Sequence, residues 1–344
     1  MKLSPQRFLH VFACVISILA PPAFAATEAT TDPVGFITTS VSGTSTSSPH
    51  LSLISPTLMQ PVAWQGTITA INSSTITVAG TPWTSNQFNG ANGSYYVEVY
   101  SATKPGAISD ISGTTTSTLT THDSLSAFGA AGDLIRIRKH VTLSDFLGAN
   151  NTFGLHGTDD PATADEVLVY SGSSFTSYFY YTGDPSNAAG WYKTYTGDPA
   201  GSETIGPNEG VVVKRKTAGS VSITFGGTVK TGNTLIPIVN GLNVLGTVSA
   251  QGLTLANSNL YKSDNTALHG SDDPATGDDV TIYSGTGKVT YFYYTGDPSN
   301  PAGWYDSFNG IPAGSVTIPA GTAIVVNRKG GGPFNWSLPA PSSF

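Results

Sequence analysis

The decapeptide YFYYTGDPSN occupies residues 178–187 and recurs letter for letter at residues 291–300. Its first half is aromatic and its second half is rich in turn formers. In an extended strand successive side chains point to opposite sides. Tyr178 and Tyr180 therefore share one face, and Phe179 and Tyr181 share the other. Two readings follow. In the favoured one the strand is the core of a small sheet, and TGDPSN turns the chain away. Each buried ring then removes roughly 150–250 Å² from water, which at about 25 cal/mol per Å² is several kcal/mol per ring pair. In the other reading, Tyr178, Tyr180, Trp191 and Tyr192, with their copies Tyr291, Tyr293, Trp304 and Tyr305, form a flat platform that stacks on sugar rings.

The decapeptide belongs to a longer duplication. Shifted by 113 residues, 155–216 falls on 268–329 without a gap, and 38 of the 62 positions are identical. Such self-similarity marks a repeated structural unit. One copy reads as a turn-rich loop (155–166), a strand (166–172), a hairpin link GSS, an aromatic strand (176–183), a loop (183–190), a strand at WYKTY (191–195), a turn at GPNEG (206–210) and a strand at VVVKRK (211–216). Short strands broken by Gly and Pro predict an antiparallel meander or sandwich. A short helix is expected before each copy, at TLSDFLG (142–148) and, more weakly, at LTLANSNL (253–260).

Upstream, WQGTITAI (64–71) and STITVAG (74–80) predict a hairpin, and SYYVEVYSA (94–102), TTTSTLTT (114–121) and DLIRIRKH (133–140) predict three further strands. These make a small β-barrel or sandwich, to which FITTSV is an edge or lead-in strand. GSVSITFGGTVKTG (219–232) reads as a strand pair joining the copies, and TLIPIVNGLNVLG (234–246) as a buried apolar segment. The expected class is thus all-β with few short helices. Its expected divisions are a signal peptide (1–25), an N-terminal β-domain (26–140) and two homologous sandwich-like β-modules (141–232 and 233–344), packed about a pseudo-twofold axis.

Composition supports this class. Charged residues are only 11% while aromatics reach 10%, so the chain is neither a Glu/Lys-rich helical protein nor a disordered acidic one. The N-terminus carries Lys2 and Arg7, an apolar run at 8–20 and AFA at 23–25, the pattern of a secretory signal cleaved near Ala26. The apolar run is too short to span a bilayer, and no later stretch is longer. Cys14 is the only cysteine and lies within this signal. Phe12 and the short apolar run argue against a lipoprotein box. The mature chain is then free of thiols, and the loss of Lys2 and Arg7 deepens its net charge from −7 to −9. An acidic chain whose one basic run is IRIRKH (135–140) is a poor nucleic-acid partner. The period-two alternation of that run places its arginines solvated or ion-paired along a strand.

DPVGF, IRKHVTLSDFLG, ADEVLVYSG…YFYYT…GWY and IGPNEGVVVKRK together resemble an uncharacterised exported family of Verrucomicrobia-type bacteria, over nearly the whole chain. That resemblance implies a cell-envelope setting and assigns no catalytic residue. NGLNVLG, GWYD and IPAGTAIVV are loosely similar to surface-protein β-modules with a GxNLxG…W…pGxGxxV plan.

Motifs for chemistry are few. The sequence has no H-E-x-x-H, nucleophile elbow, P-loop or dinucleotide fingerprint. His50, His122, His140, His156 and His269 are scattered, and only the last two share a repeat position. The acidic loops offer Asp159, Asp160 and Asp165 in one copy and Asp272, Asp273 and Asp278 in the other. Carboxylates on one tight loop suit Ca²⁺. The favoured reading makes them turn formers, or partners of Arg215, Lys216, Arg328 and Lys329. The expected function is a non-enzymatic structural or adhesive role in the cell envelope, with the protein extracellular, surface-held or periplasmic. The alternatives are a carbohydrate-binding protein, with or without Ca²⁺, and a secreted hydrolase. Expected partners are cell-surface or extracellular polysaccharide or other envelope proteins, with no nucleic acid and no membrane span.

Overall fold

A computed structural model describes residues 32–89, 93–171, 174–284 and 287–341, all within one compact unit. The expected signal peptide lies outside the described residues. The fold is nearly all β.

In chain order, β1 (Val34–Gly43) and β2 (His50–Ile54) are followed by six strands that close into a barrel: β3 (Val62–Asn72), β4 (Thr75–Val78), β5 (Tyr95–Ser101), β6 (Ile108–Thr114), β7 (Thr118–Thr121) and β8 (Leu134–Lys139). Register shifts at Val62/Trp64, Ile68/Ala70, Val99/Ser101 and Ile111/Gly113 supply the curvature that closure of so few strands requires. Inward Ile68, Ile76, Val97, Val99, Ile135 and Ile137 fill the interior. The single strand expected at TTTSTLTT is instead the end of β6, a turn and β7. Thr115 Oγ1 accepts from the backbone N–H groups of Ser117 and Thr118 (3.3 and 3.0 Å), and this local bond breaks the run.

After the barrel come β9 (Val141–Thr142) and α1 (Leu143–Leu147). Thr142 caps α1 reciprocally with Asp145. Next are β10 (Glu166–Tyr170), β11 (Phe175–Tyr181), β12 (Gly190–Lys193), β13 (Thr204–Ile205), β14 (Val211–Arg215) and β15 (Gly219–Thr228). Five strands form one antiparallel sheet in the order β12-β11-β10-β14-β2, while β1 and β15 make a separate ribbon over it. The core lies between, where Val167, Tyr178, Trp191, Val211 and Val213 of the sheet meet Val41, Ile223 and Phe225 of the ribbon and Phe146 of α1.

The remaining strands repeat this plan: β16 (Thr234–Ile238), β17 (Gly241–Gly246), β18 (Leu253–Thr254), then a 3-10 turn at Leu255–Asn257, β19 (Asp279–Ser284), β20 (Gly287–Tyr294), β21 (Gly303–Asp306), β22 (Thr317–Ile318), β23 (Ala323–Arg328) and β24 (Phe334–Leu338). The second sheet has the order β17-β23-β19-β20-β21, and β16 pairs with β24. Thr254 caps its turn reciprocally with Asn257, as Thr142 does with Asp145.

Matching the two plans shows where the barrel sits. β2 pairs with β14 as β17 pairs with β23, with Ile54 opposite Val211 and Leu245 opposite Ile324. In the second module only residues 247–252 separate β17 from β18. In the first module the same connection, between β2 and β9, holds the whole barrel. The expected N-terminal domain, 26–140, therefore contains two parts: a barrel, and the two strands that complete the first module. Likewise GSVSITFGGTVKTG is not a strand pair but the single strand β15, whose partner is β1.

The modules meet through reciprocal contacts. The Ser55 N–H donates to Gly321 O (3.0 Å) and the Gly246 N–H donates to Asn208 O (3.0 Å). Bridges join Ile54 with Thr322 and Leu245 with Glu209. Asn208 and Glu209 map onto Gly321 and Thr322 under the 113-residue shift, and Ile54 and Ser55 match Leu245 and Gly246 through the equivalence of β2 and β17, so each contact is the image of the other, as a twofold arrangement demands. Leu53, Val212, Val244 and Ala323 bury an apolar patch between the sheets. A Cβ on Gly246 would stand 2.5 Å from Glu209 O and 2.9 Å from Ser55 Cβ. Gly246→Ala is therefore expected to destabilise the protein by about 1–3 kcal/mol, because backbone cannot yield as a side chain can. Urea unfolding of the variant measures this, and an unchanged midpoint would contradict the close approach.

Candidate functional site

The period of two decides where each aromatic ring goes. Tyr178 and Trp191, with Tyr180 packed against them, belong to the first core, and Tyr291 and Trp304, with Tyr293, belong to the second. Trp191 Nε1 donates to Gly148 O at 2.8 Å, and Tyr180 meets Trp191 edge to face at 5.4 Å. Six of the eight residues expected of a platform thus face the interior. Only Tyr192 and Tyr305 lie on the other face.

That other face carries a different set of rings. In the first module Tyr181 lies 6.4 Å from Phe179 and 5.3 Å from Tyr192, centroid to centroid, both edge to face. In the second, Tyr294 lies 6.3 Å from Phe292 and 5.4 Å from Tyr305. In the second module Phe308 lines one cleft with Phe292, Tyr294 and Tyr305. Tyr195 is 88% exposed and Phe308 is 94% exposed, and they occupy the same position in the two copies. Each module therefore carries an aromatic shelf on its outer strand pair, β11–β12 or β20–β21, in which Phe179, Phe292 and Tyr305 are buried and Tyr181, Tyr192 and Tyr294 are half-buried.

The TGDPSN turns hold these shelves rigid. Asp184 accepts from the Tyr181 hydroxyl and from the N–H groups of Ser186 (2.6 Å) and Asn187 (2.8 Å). Asp297 accepts from the Tyr294 hydroxyl, Ser299 N–H (2.6 Å) and Asn300 N–H (2.8 Å). The Tyr192 hydroxyl donates to Ala188 O at 2.9 Å and the Tyr305 hydroxyl to Pro301 O at 3.0 Å. The invariant second half of the decapeptide thus anchors the outward rings produced by its first half and by the following strand.

In the second module the shelf floors an open cleft of about 450 Å³, walled by Asp272, Pro274, Asn300 and the Asp306–Gly310 turn. No Lys or Arg lines it. Asp306 carries the turn that raises Phe308: its Oδ1 accepts from Phe308 N–H (2.8 Å) and Asn309 N–H (2.9 Å), and its Oδ2 from Asn309 Nδ2 (3.0 Å). These donors lower its pKa. The matching residue in the first module is Lys193, paired with Glu203 at 2.8 Å.

The six aspartates considered as Ca²⁺ ligands do not converge. Asp165 and Asp278 are buried, and their oxygens are already engaged. Asp165 accepts from Arg215 Nε (3.1 Å), Lys216 N–H (2.7 Å) and His156 N–H (2.8 Å). Asp278 accepts from Arg328 Nη1, Lys329 N–H (2.7 Å) and His269 N–H (2.6 Å). Asp160 and Asp273 cap their own turns through Ala162 N–H (2.9 Å) and Ala275 N–H (2.8 Å). Asp159 and Asp272 are exposed, each beside a hydroxyl at 3.0 and 3.4 Å. Among the described residues no group of three His, Cys, Asp or Glu side chains is placed to hold a metal ion.

Comparison with protein-family models, with curated proteins and with solved structures finds no match.

The Tyr–Asp anchors set a pH window. Asp184 and Asp297 are held down at about 2, first by the tyrosyl hydroxyl and then by the turn N–H groups, while Tyr181 and Tyr294 are pushed up to about 12 by those carboxylates. A depressed carboxylate contributes stability that is complete above its ordinary value and fades as pH falls towards 2. A raised phenol contributes stability that is complete below its ordinary value and fades as pH rises towards 12. The Asp184→Asn/Asp297→Asn double variant is expected to melt below wild type between pH 5 and 9 and to converge with it near pH 2. A gap that stays constant across this titration would show that the anchors are not ionic.

Proposed function

We propose that this is a non-enzymatic adhesive protein that holds saccharide chains on its two aromatic shelves. The signal-like N-terminus and the resemblance to an exported family support an envelope setting. The observation that carries the reading is the pair of nearly fully exposed rings, Tyr195 and Phe308, at the same position of both modules. A soluble surface rarely spends large aromatics this way without a partner to cover them. A pyranose ring has an apolar C–H face that fits a flat aromatic ring, and hydroxyls around its edge that fit carboxylates and amides. The second cleft offers both kinds of group, with rings on its floor and Asp272, Asn300 and Asn309 at its rim. The anchored tyrosines lose little freedom on binding, which favours affinity.

The hydrolase reading is weaker on two counts. A glycosidase needs a carboxylic acid whose pKa is raised beside a second carboxylate. Asp306 is shifted the other way by its turn donors, and its counterpart in the first module is Lys193.

Glycan retention by the purified mature chain tests the proposal. Phe308→Ala and Tyr195→Ala, each at an exposed position, are expected to weaken retention about tenfold or more, on the order of 1–2 kcal/mol, while leaving the melting temperature within error of wild type. Trp191→Ala and Trp304→Ala are expected to cost about 3–5 kcal/mol of stability, because those rings are core. Full retention by a Phe308→Ala/Tyr195→Ala double variant would remove the shelves from the account. Polysaccharide turnover abolished by one point substitution would replace adhesion with catalysis.

A further inference from the structure

The strand orders place the two shelves far from each other. The first lies on β11 and β12, at one end of the order β12-β11-β10-β14-β2, and the second on β20 and β21, at one end of β17-β23-β19-β20-β21. The modules join through the opposite ends of these sheets, where Ile54 bridges Thr322 and Leu245 bridges Glu209. β10 and β14 stand between the first shelf and that junction, and β19 and β23 between the second shelf and it.

A twofold rotation carries any off-axis point to the opposite side of the axis. The reciprocal hydrogen bonds of Ser55 with Gly321 and of Gly246 with Asn208 fix the axis at the junction. The shelves therefore lie on opposite sides of the axis, each at the end of its sheet farthest from the junction. With strands about 4.8 Å apart, their separation is on the order of 30 Å. An oligosaccharide of two or three rings that covers one shelf does not reach the other. Neither shelf carries a net positive charge to select acidic sugars. The second cleft is rimmed by Asp272 and Asp306, and in the first module Lys193, at the position of Asp306, is paired with Glu203 at 2.8 Å.

We propose that one folded chain is a bivalent cross-linker of neutral polysaccharide: each shelf takes a separate chain, and the module junction is the rigid spacer between them. This rests on the saccharide reading of the shelves given above. It adds that the duplication creates two independent sites on one molecule rather than one extended groove. Two sites that engage the same chain would give avidity through a high effective concentration, whereas opposed sites give network formation without it.

The test uses the mature full-length chain with trisaccharides from mixed-linkage β-glucan, galactomannan and dextran, and the corresponding soluble polymers. Calorimetry is expected to give two trisaccharides per chain for the wild type. Phe308→Ala or Tyr195→Ala alone should leave one, with the affinity of the intact shelf changed less than twofold. Light scattering should show that wild type cross-links the polymer with an optimum protein-to-polymer ratio, and that each single variant binds the polymer but does not cross-link it. Two trisaccharide sites without cross-linking would overturn bivalence and leave saccharide binding standing. Cross-linking by a single variant at the wild-type level would overturn it as well, because self-association would then supply the second site. No binding of any probe would overturn both readings together.

Discussion

Everything in the two modules depends on the alternation of side chains along one aromatic strand. Tyr178 and Tyr180 turn inward beside Trp191, and Phe179 and Tyr181 turn outward beside Tyr192. One strand thus supplies both the floor of a core and the surface of a shelf. The same division falls on Tyr291, Phe292, Tyr293 and Tyr294 in the second module. Neither face could be made polar without loss: the inner one would open the core, and the outer one would remove the shelf. The turn that follows answers the same constraint. Its aspartate reaches back three residues to the outward tyrosine, so the strand and its turn form one rigid piece.

Much of this organisation was legible in the residues. The 113-residue identity defined four of the five strands in each module's sheet, and IRIR implied arginines solvated or ion-paired along a strand. Arg138, only 1% exposed, does pair with Asp32, at 2.8 Å. The phase of the aromatic strand was not legible, because both faces carry rings and no polar residue distinguishes inside from outside. That is why a platform built from Tyr178, Tyr180 and Trp191 was a coherent reading and yet those rings face the core. A usable signal was passed over: the ring at Tyr195 recurs as Phe308 inside a segment where the neighbouring residues diverge from Lys-Thr to Asp-Ser. The extent of the module was also hidden. HLSLI of β2 and GLNVL of β17 share one aligned leucine, too little to show that they are equivalent strands.

Buried ion pairs tie the pieces together. Arg215 with Asp165 and Arg328 with Asp278 link the end of each module's fourth long strand to its acidic loop. Lys230 with Glu98, and Arg138 with Asp32, fasten the barrel to the flanking chain. Such pairs give little net stability when desolvated, but removing one partner leaves a buried charge unpaired and is costly. Their value is specificity: they fix which loop closes on which strand in a protein whose small polar surface residues discriminate poorly. Two of the six aspartates considered for a metal, Asp165 and Asp278, are committed to this task.

The barrel sits within the connection between β2 and β9, and this imposes an order on how the chain can acquire its structure. Val34 pairs with Thr228, so the first strand made must wait for almost the last residue of its own module before it finds a partner. The barrel draws on a continuous segment, as does the second module, and each can close from local contacts. Non-local pairings of this kind are slow, because the chain loses loop entropy before any contact compensates it. A nascent chain would therefore carry β1 and β2 as unpaired edges, beside an already closed barrel, until β14 and β15 arrive to cover them.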